Sequence, residues 1–175
     1  MKTVSMMQTS QLCLAAIALV AAGSVFSSAQ AATTTASATA TVITPIAIAK
    51  TADLVFGSFT TSAAGQTITV SAAGVRSASG AVPMAGATSA AAFNVTGTGA
   101  LTYAITLPTT VSMITGAGAT AAETMDVTGF TSNPSGTGAL TAGAQVLAVG
   151  GTLTTAAAQV AGAYTGTFNV SVDYN

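Results

Sequence analysis

Residues 164–174 alternate without a break. Tyr164, Gly166, Phe168, Val170, Val172 and Tyr174 fall on one side of an extended chain, and Thr165, Thr167, Asn169, Ser171 and Asp173 on the other. Side chains on a strand point to opposite faces with period two, so this segment reads as a half-buried strand running to the carboxyl terminus. Chain ends fray unless something ties them down. A pattern that holds to the penultimate residue predicts that the terminus belongs to the core.

The same periodicity recurs in short runs separated by Gly, Pro, Asn and Ser, which is the arrangement of an all-β sandwich. Expected strands are Ile46–Ala49, Leu54–Phe59, Thr67–Ser71, Ala92–Thr96, Leu101–Leu107, Val111–Ile114, Met125–Val127, Gln145–Leu153 and the terminal strand from Tyr164. Leu101, Tyr103, Ile105 and Leu107 are expected to face inward together. Turn chemistry falls at Gly97-Thr-Gly99, Gly116-Ala-Gly118 and Asn133-Pro-Ser-Gly-Thr-Gly138, because Gly takes positive φ and Pro presets a bend. Thr155–Ala161 reads as a loop. No stretch beyond the amino-terminal segment carries a 3.6-residue apolar period.

That amino-terminal segment reads as a secretory signal peptide. Lys2 opens it, Leu12 to Val25 are apolar, and Ala29-Gln30-Ala31 is a small-residue cleavage site. Residues 1–31 are therefore expected to be removed, leaving a mature chain from Ala32. The apolar stretch is short for a membrane span and holds Gly23 and Ser24, so no membrane insertion is expected after cleavage. Cys13 is the only cysteine and lies in the removed part. The mature chain then has no disulfide and no thiol chemistry.

Beyond Ala31 the charged side chains are Lys50, Arg76, Asp53, Glu123, Asp126 and Asp173, giving a net charge of 2 − 4 = −2. No basic surface exists for nucleic acid or anionic lipid. Half of the residues are apolar, so this is not the composition of a disordered chain. A surface so poor in charge is unusual for a free monomer, and suits one packed in a polymer.

Enzymatic constellations are missing from the sequence. Without histidine no Ser–His–Asp or Cys–His unit is possible. Glu123 and Asp126 are near neighbours, but they read as a solvated loop face, neither a catalytic pair nor a calcium loop. No Gly-rich run ends in Gly-Lys-Ser/Thr or follows a strand as Gly-x-Gly-x-x-Gly. The sequons Asn94-Val-Thr96 and Asn169-Val-Ser171 lie in expected strands and read as chance. The expectation is a non-enzyme with no cofactor-binding or metal-binding residues.

Residues 32–44 stand apart. Ala36, Ala38, Ala40 and Val42 alternate with Ser37, Thr39 and Thr41, a strand pattern built from small side chains and closed by Pro45; the alternative, since the alternation rests largely on alanine, is a disordered tail. The expected organisation is a signal peptide (1–31), an extension (32–44) and one β domain (45–175).

Tyr174 is penultimate and Gly162 is the fourteenth residue from the end. With the alternation between them, these resemble the terminal strand of chaperone–usher pilins. Leu54-Val-Phe-Gly57 resembles the Phe-Gly strand near the start of archaic pilins of the spore-coat-U type. With Pro45-Ile-Ala-Ile48, Phe93-Asn-Val-Thr-Gly97 and Tyr164-Thr-Gly-Thr-Phe168, most of the mature chain resembles the bacterial domain of unknown function 4402 family. The pilin resemblance implies an incomplete immunoglobulin-like β-sandwich with an N-terminal donor-strand extension. Its groove would be covered first by a periplasmic chaperone and then, at an outer-membrane usher, by the extension of another copy or a sibling pilin. Ala36, Ala38, Ala40 and Val42 would be the donor strand, with the opposite phase, the one that buries Ile43, left open. Gly162, Tyr164, Phe168, Val170, Val172 and Tyr174 would form the acceptor side.

The expected function is a fimbrial subunit on the surface of a Gram-negative bacterium, polymerised head to tail and serving adhesion or biofilm. The rival is a self-complemented, monomeric secreted binding or matrix protein whose extension folds into its own groove. A tip adhesin would need a further amino-terminal domain, which this pattern does not contain.

Overall fold

A computed structural model describes residues 30–80, 83–118 and 120–175. The signal-peptide reading concerns residues 1–31, of which 1–29 lie outside the described residues. The chain divides into two units, Met1–Ala40 and Thr41–Asn175. Residues 30–40 of the first are exposed and carry no strand.

In the second unit β11 (Ala144–Thr155) is the axis of a seven-stranded antiparallel sheet. Along one edge its first half pairs with β6 (Ala91–Thr96) and its second half with β3 (Gln66–Val70). Along the other edge it pairs with β9 (Thr124–Asn133). The sheet continues from β6 to β1 (Ala47–Ala52), from β3 to β4 (Arg76–Ala78), and from β9 to β8 (Thr110–Ile114). A second sheet has the order β10 (Thr137–Ala139), β7 (Thr102–Thr106) and β12 (Ser171–Tyr174). A two-stranded ribbon joins β2 (Ser58–Phe59) to β5 (Met84–Ala85). The chain is thus an all-β sandwich.

Period-two alternation builds the two halves of its core. On β11, Leu147, Val149 and Leu153 are buried while Val146 and Thr154 face out. Leu147 and Val149 meet Ala91 and Val95 of β6 and, from the second sheet, Tyr103 and Val172. Leu153 meets Ile68 and Val70 of β3, Met125 and Val127 of β9, and Phe56. Burying each large apolar side chain contributes roughly 1.5–3 kcal/mol, so these thirteen or so residues supply the main driving force. The outward faces are hydroxyl-rich: Thr69 Oγ1 and Thr152 Oγ1 lie 2.9 Å apart across β3 and β11.

β9 shows how one residue redirects a strand. Met125 and Val127 face inward, and then Phe130 does, a change of phase. Gly129 absorbs it at φ 58°, with the register against β11 shifting between Gly150 and Thr152. This is a β-bulge whose extra residue needs the left-handed region.

Several expected elements change. Leu54–Phe59 is no continuous strand: Val55 makes one bridge to Ser89, and only Ser58 and Phe59 pair, with β5. Its backbone is engaged by a side chain instead, because Arg76 Nη1 donates to the Phe56 carbonyl (2.9 Å) and the Ala85 carbonyl (3.0 Å). Met125–Val127 is the middle of a ten-residue strand. The expected turn from Asn133 to Gly138 contains the end of β9 and most of β10. Leu101 precedes β7 and is 39% exposed, so it does not share the inward face of Tyr103.

The terminal strand keeps its parity but not its continuity. Tyr164, Phe168, Val170 and Tyr174 are half-buried and Val172 buried, while every odd residue from Thr165 to Asp173 is exposed. Thr165 bridges to Ile114 at the end of β8 in the first sheet, whereas Ser171–Tyr174 pairs with β7 in the second. The segment therefore passes from one sheet to the other. Gly166 marks the crossing: a Cβ there would stand 2.8 Å from the Ser112 carbonyl oxygen.

Candidate functional site

Two strands expose an edge toward the same place. β1 pairs only with β6, and β12 only with β7, among the described residues. Each belongs to a different sheet, and their Cα atoms come within 8 Å of each other without a ladder between them. The apolar residues along this seam are incompletely covered. Ile46, Ile48 and Leu54 from one side and Phe168, Val170 and Tyr174 from the other pack on the core yet stay half-buried. Phe168 is further held by Phe130, with ring centroids 5.2 Å apart and planes tilted by 44°.

The seam is a wedge. At one end Tyr174 Oη donates to the Thr44 carbonyl (3.0 Å) and accepts from the Thr98 amide (2.7 Å). This closes β12 onto the residues ahead of β1. From there the chain runs along the seam through β1 to β2, while the terminal segment runs the opposite way, from 161 to 174. At the far end the two walls part into a cleft of about 790 Å³, lined by residues 54–61 on one side and 160–164 on the other. Met113, Met125 and Leu153 form its floor, and no charged side chain lines it.

The wall at 160–164 is built by hydrogen bonds to a buried amide. Gln159 is 5% exposed; its Nε2 donates to the carbonyls of Ala122 and Thr124, both at 2.7 Å, and its Oε1 accepts from the Ala156 amide at 2.9 Å. Tyr164 Oη lies 3.1 Å from the same Nε2 and 2.8–2.9 Å from the carbonyls of Val160 and Ala122. The loop is thereby pinned to the 3-10 turn Ala121–Glu123. Every buried polar side-chain atom among the described residues has a partner, as the cost of burying an unpaired one requires.

The structure brings Gly162 and Tyr164 into the cleft wall, and sets Phe168, Val170, Val172 and Tyr174 along the seam. A Cβ on Gly162 would meet Thr115 Oγ1 at 2.6 Å. Ala36, Ala38, Ala40 and Val42 are exposed and belong to no strand, with Val42 97% exposed. The opposite wall and the floor were not among the expected site residues. Met113 and Met125 had a signal all the same, since strand parity turns both toward the core that Tyr164 faces.

Three of the acidic residues, Asp53, Glu123 and Asp126, have structural partners. Glu123 Oε2 accepts from Thr120 N and Oγ1, both at 3.1 Å, capping the 3-10 turn. Asp126 lies on the outward face of β9, where Oδ1 accepts from Ser112 Oγ at 2.5 Å. Lys50 and Asp53 form an exposed ion pair. No group of three or more His, Cys, Asp or Glu side chains that could hold a metal occurs among the described residues. No helix among them is long and apolar enough to cross a membrane.

No curated protein and no solved structure matches this chain. Residues 46–174, from the start of the seam to its end, match one family, described as Domain of unknown function (DUF4402), and the chain belongs to it.

Proposed function

We propose that this protein is the structural subunit of a bacterial surface fibre, assembled head to tail by strand addition, and that the wedge between β1 and the terminal segment receives the added strand. The carrying observation is the pair of unladdered edges, one from each sheet, flanking half-buried apolar residues and opening into an uncharged cleft. Exposed edges invite pairing with another chain, and proteins that keep one open usually cover it. A strand set between the edges would satisfy both, complete the sandwich as an immunoglobulin-like fold, and cover Ile48, Phe168 and Val170.

The donor in this reading is the extension 32–44 of the next copy or of a sibling subunit. Insertion of a head into the neighbouring tail is heterologous and does not close, so it yields a fibre. A strand between two others needs them roughly 10 Å apart, twice the usual spacing. β1 and β12 are nearer than that, so insertion parts them, starting from the open cleft. Before assembly a periplasmic chaperone would shield the same edges, and an outer-membrane usher would exchange it for the donor. The surface fibre would serve adhesion or biofilm.

Cell-surface shearings run on a denaturing gel, unheated and boiled, test this directly. The expected result is a ladder of multiples that collapses to one band on boiling, and that is lost when residues 32–43 are deleted. A single monomer band in both lanes overturns the reading in favour of a self-complemented secreted protein.

A further inference from the structure

Met113 and Met125 stand directly opposite each other across β8 and β9. Both turn to the same side and form the floor of the cleft, Met125 at 4% exposure and Met113 half-buried. Beyond the expected signal segment the sequence holds one other methionine, Met84, which lies on the β2–β5 ribbon. Thioethers are long, flexible and polarisable, and in a core they ordinarily fill gaps. Here a cleft of about 790 Å³ remains above the pair, and theirs are the only sulfurs that line it.

We infer that Met113 and Met125 together bind a copper(I) ion at the floor of the cleft. The inference does not depend on the strand-addition reading.

The geometry suits one shared ion. Directly opposed residues on antiparallel strands hold their Cβ atoms about 4.5–5.5 Å apart on one face, and the rotatable bonds of each methionine let both sulfurs close on a single point. Thioether sulfur is a soft donor, suited to copper(I) and not to the hard ions that require oxygen. Charge points the same way. Both ligands are neutral and no charged side chain lines the cleft, so a monovalent ion loses less on leaving water for it than a divalent one. Copper(I) has a filled d shell, as zinc does, and takes its geometry from the ligands present, so two sulfurs in line can hold it.

The surroundings agree with this chemistry. Phe56, Phe59 and Tyr164 line the cleft, and aromatic faces attract cations. The parted walls supply the entry path that a metal site requires. Histidine, cysteine and carboxylate spacing carries no trace of such a site, because none of those residues takes part in it. Leucine at both positions would give an equally apolar floor, so binding by sulfur is the property that separates a metal site from simple packing.

The purified protein, with isotope-labelled methionine methyl groups, is titrated with silver(I), a soft ion of the same charge that does not change oxidation state. The Met113 and Met125 methyl resonances should move together and saturate at one ion per chain, while that of Met84, a lone thioether, stays in place. Thioethers carry no proton to lose, so the affinity should hold between about pH 6 and about pH 3.5, where an ion held by carboxylates would be released. Met113→Leu and Met125→Leu keep the volume of the floor. Each should weaken binding by at least about tenfold, the loss that follows removal of even an outer partner of a metal ligand. Met113→Leu, on the half-buried position, decides alone if Met125→Leu does not fold. Copper(I), kept reduced by ascorbate, should reproduce the shifts. Unmoved Met113 and Met125 signals at excess silver(I), an affinity that falls as carboxylates protonate, or full affinity in a folded leucine variant would each overturn the inference. Silver(I) binding without copper(I) binding would overturn the choice of ion.

Discussion

Tyr174 Oη lies 3.0 Å from the carbonyl oxygen of Thr44, so the penultimate residue holds the strand-free stretch that leads into β1. The same oxygen accepts from the Thr98 amide at 2.7 Å. One phenol therefore joins the end of β12, the stretch ahead of β1 and the turn after β6, and closes the seam at that end. It also sets a steric condition, because a Cβ on Gly97 would stand 2.1 Å from Tyr174 Oη. The aromatic and the glycine are one device.

Tyr174→Phe removes the hydroxyl and leaves the Thr98 amide without its acceptor, which should cost roughly 1–2 kcal/mol of stability. Gly97→Ala should cost about 1–3 kcal/mol by overpacking against the phenol. The double variant should cost less than the sum, since removing the hydroxyl relieves the tightest of the new methyl's contacts, leaving those to Leu140 Cδ1 at 3.0 Å and Tyr174 Cζ at 3.1 Å. Denaturant midpoints of the four proteins measure this coupling. Strict additivity would mean that the two residues do not meet in solution.

Gln159 is a second fastening, at the open end. Gln159→Ala strips donors from the Ala122 and Thr124 carbonyls and the acceptor from the Ala156 amide. The expected loss is about 2 kcal/mol. It should be concentrated locally: amides of residues 156–164 should exchange with solvent faster while those of β11 keep their protection. Equal acceleration across both would show that the loop is not an independently fastened wall.

Much of this was legible in the chain. The parity of residues 164–174 was read correctly down to Asp173 facing out and Val172 in, because burial on one face leaves a period of two in the sequence. Their division between two sheets was not, since alternation is the same whichever neighbour a strand pairs with. The single clue was Gly166, and a lone glycine in an alternating run does not say what approaches it. The 54–59 stretch reads as a strand by composition, yet Arg76 Nη1 binds the Phe56 carbonyl. That contact is between residues twenty apart in sequence, and local periodicity carries no trace of it. β4, β5 and β10 were missed because two- or three-residue strands are shorter than one full alternation.

Two charge substitutions separate the faces of the proposed donor. Val42→Asp should abolish the heat-sensitive ladder, because a carboxylate carried into a cleft lined by no charged side chain would lose its hydration. Thr41→Asp, on the opposite parity, should leave ladder intensity within about twofold of the unsubstituted chain, as surface changes cost little. Neither residue touches the folded core, since both are exposed, so export and monomer stability serve as internal controls. Equal ladders from the two variants would sink the assignment of Val42 to the cleft.

Burial raises the Tyr103 phenol above its ordinary value of 10.0. The ring is fully buried, and Oη donates to Gln145 Oε1 at 2.7 Å, so ionisation would strand a charge in the core. The folded state then holds this proton to higher pH than the unfolded state does. Below pH 10 both states are protonated and the group contributes no pH dependence. Above it the unfolded chain releases the proton first, and stability falls by up to about 1.4 kcal/mol per pH unit until the folded value is reached. Tyr103→Phe keeps the ring packing and removes the proton. It should lower stability modestly at neutral pH, through the lost bond to Gln145, but flatten the decline above pH 10. Denaturant midpoints of both proteins between pH 8 and pH 11.5, roughly bracketing a tyrosine's ordinary titration, make the comparison. Parallel declines in the two proteins would show that the buried phenol is not the group that limits alkaline stability.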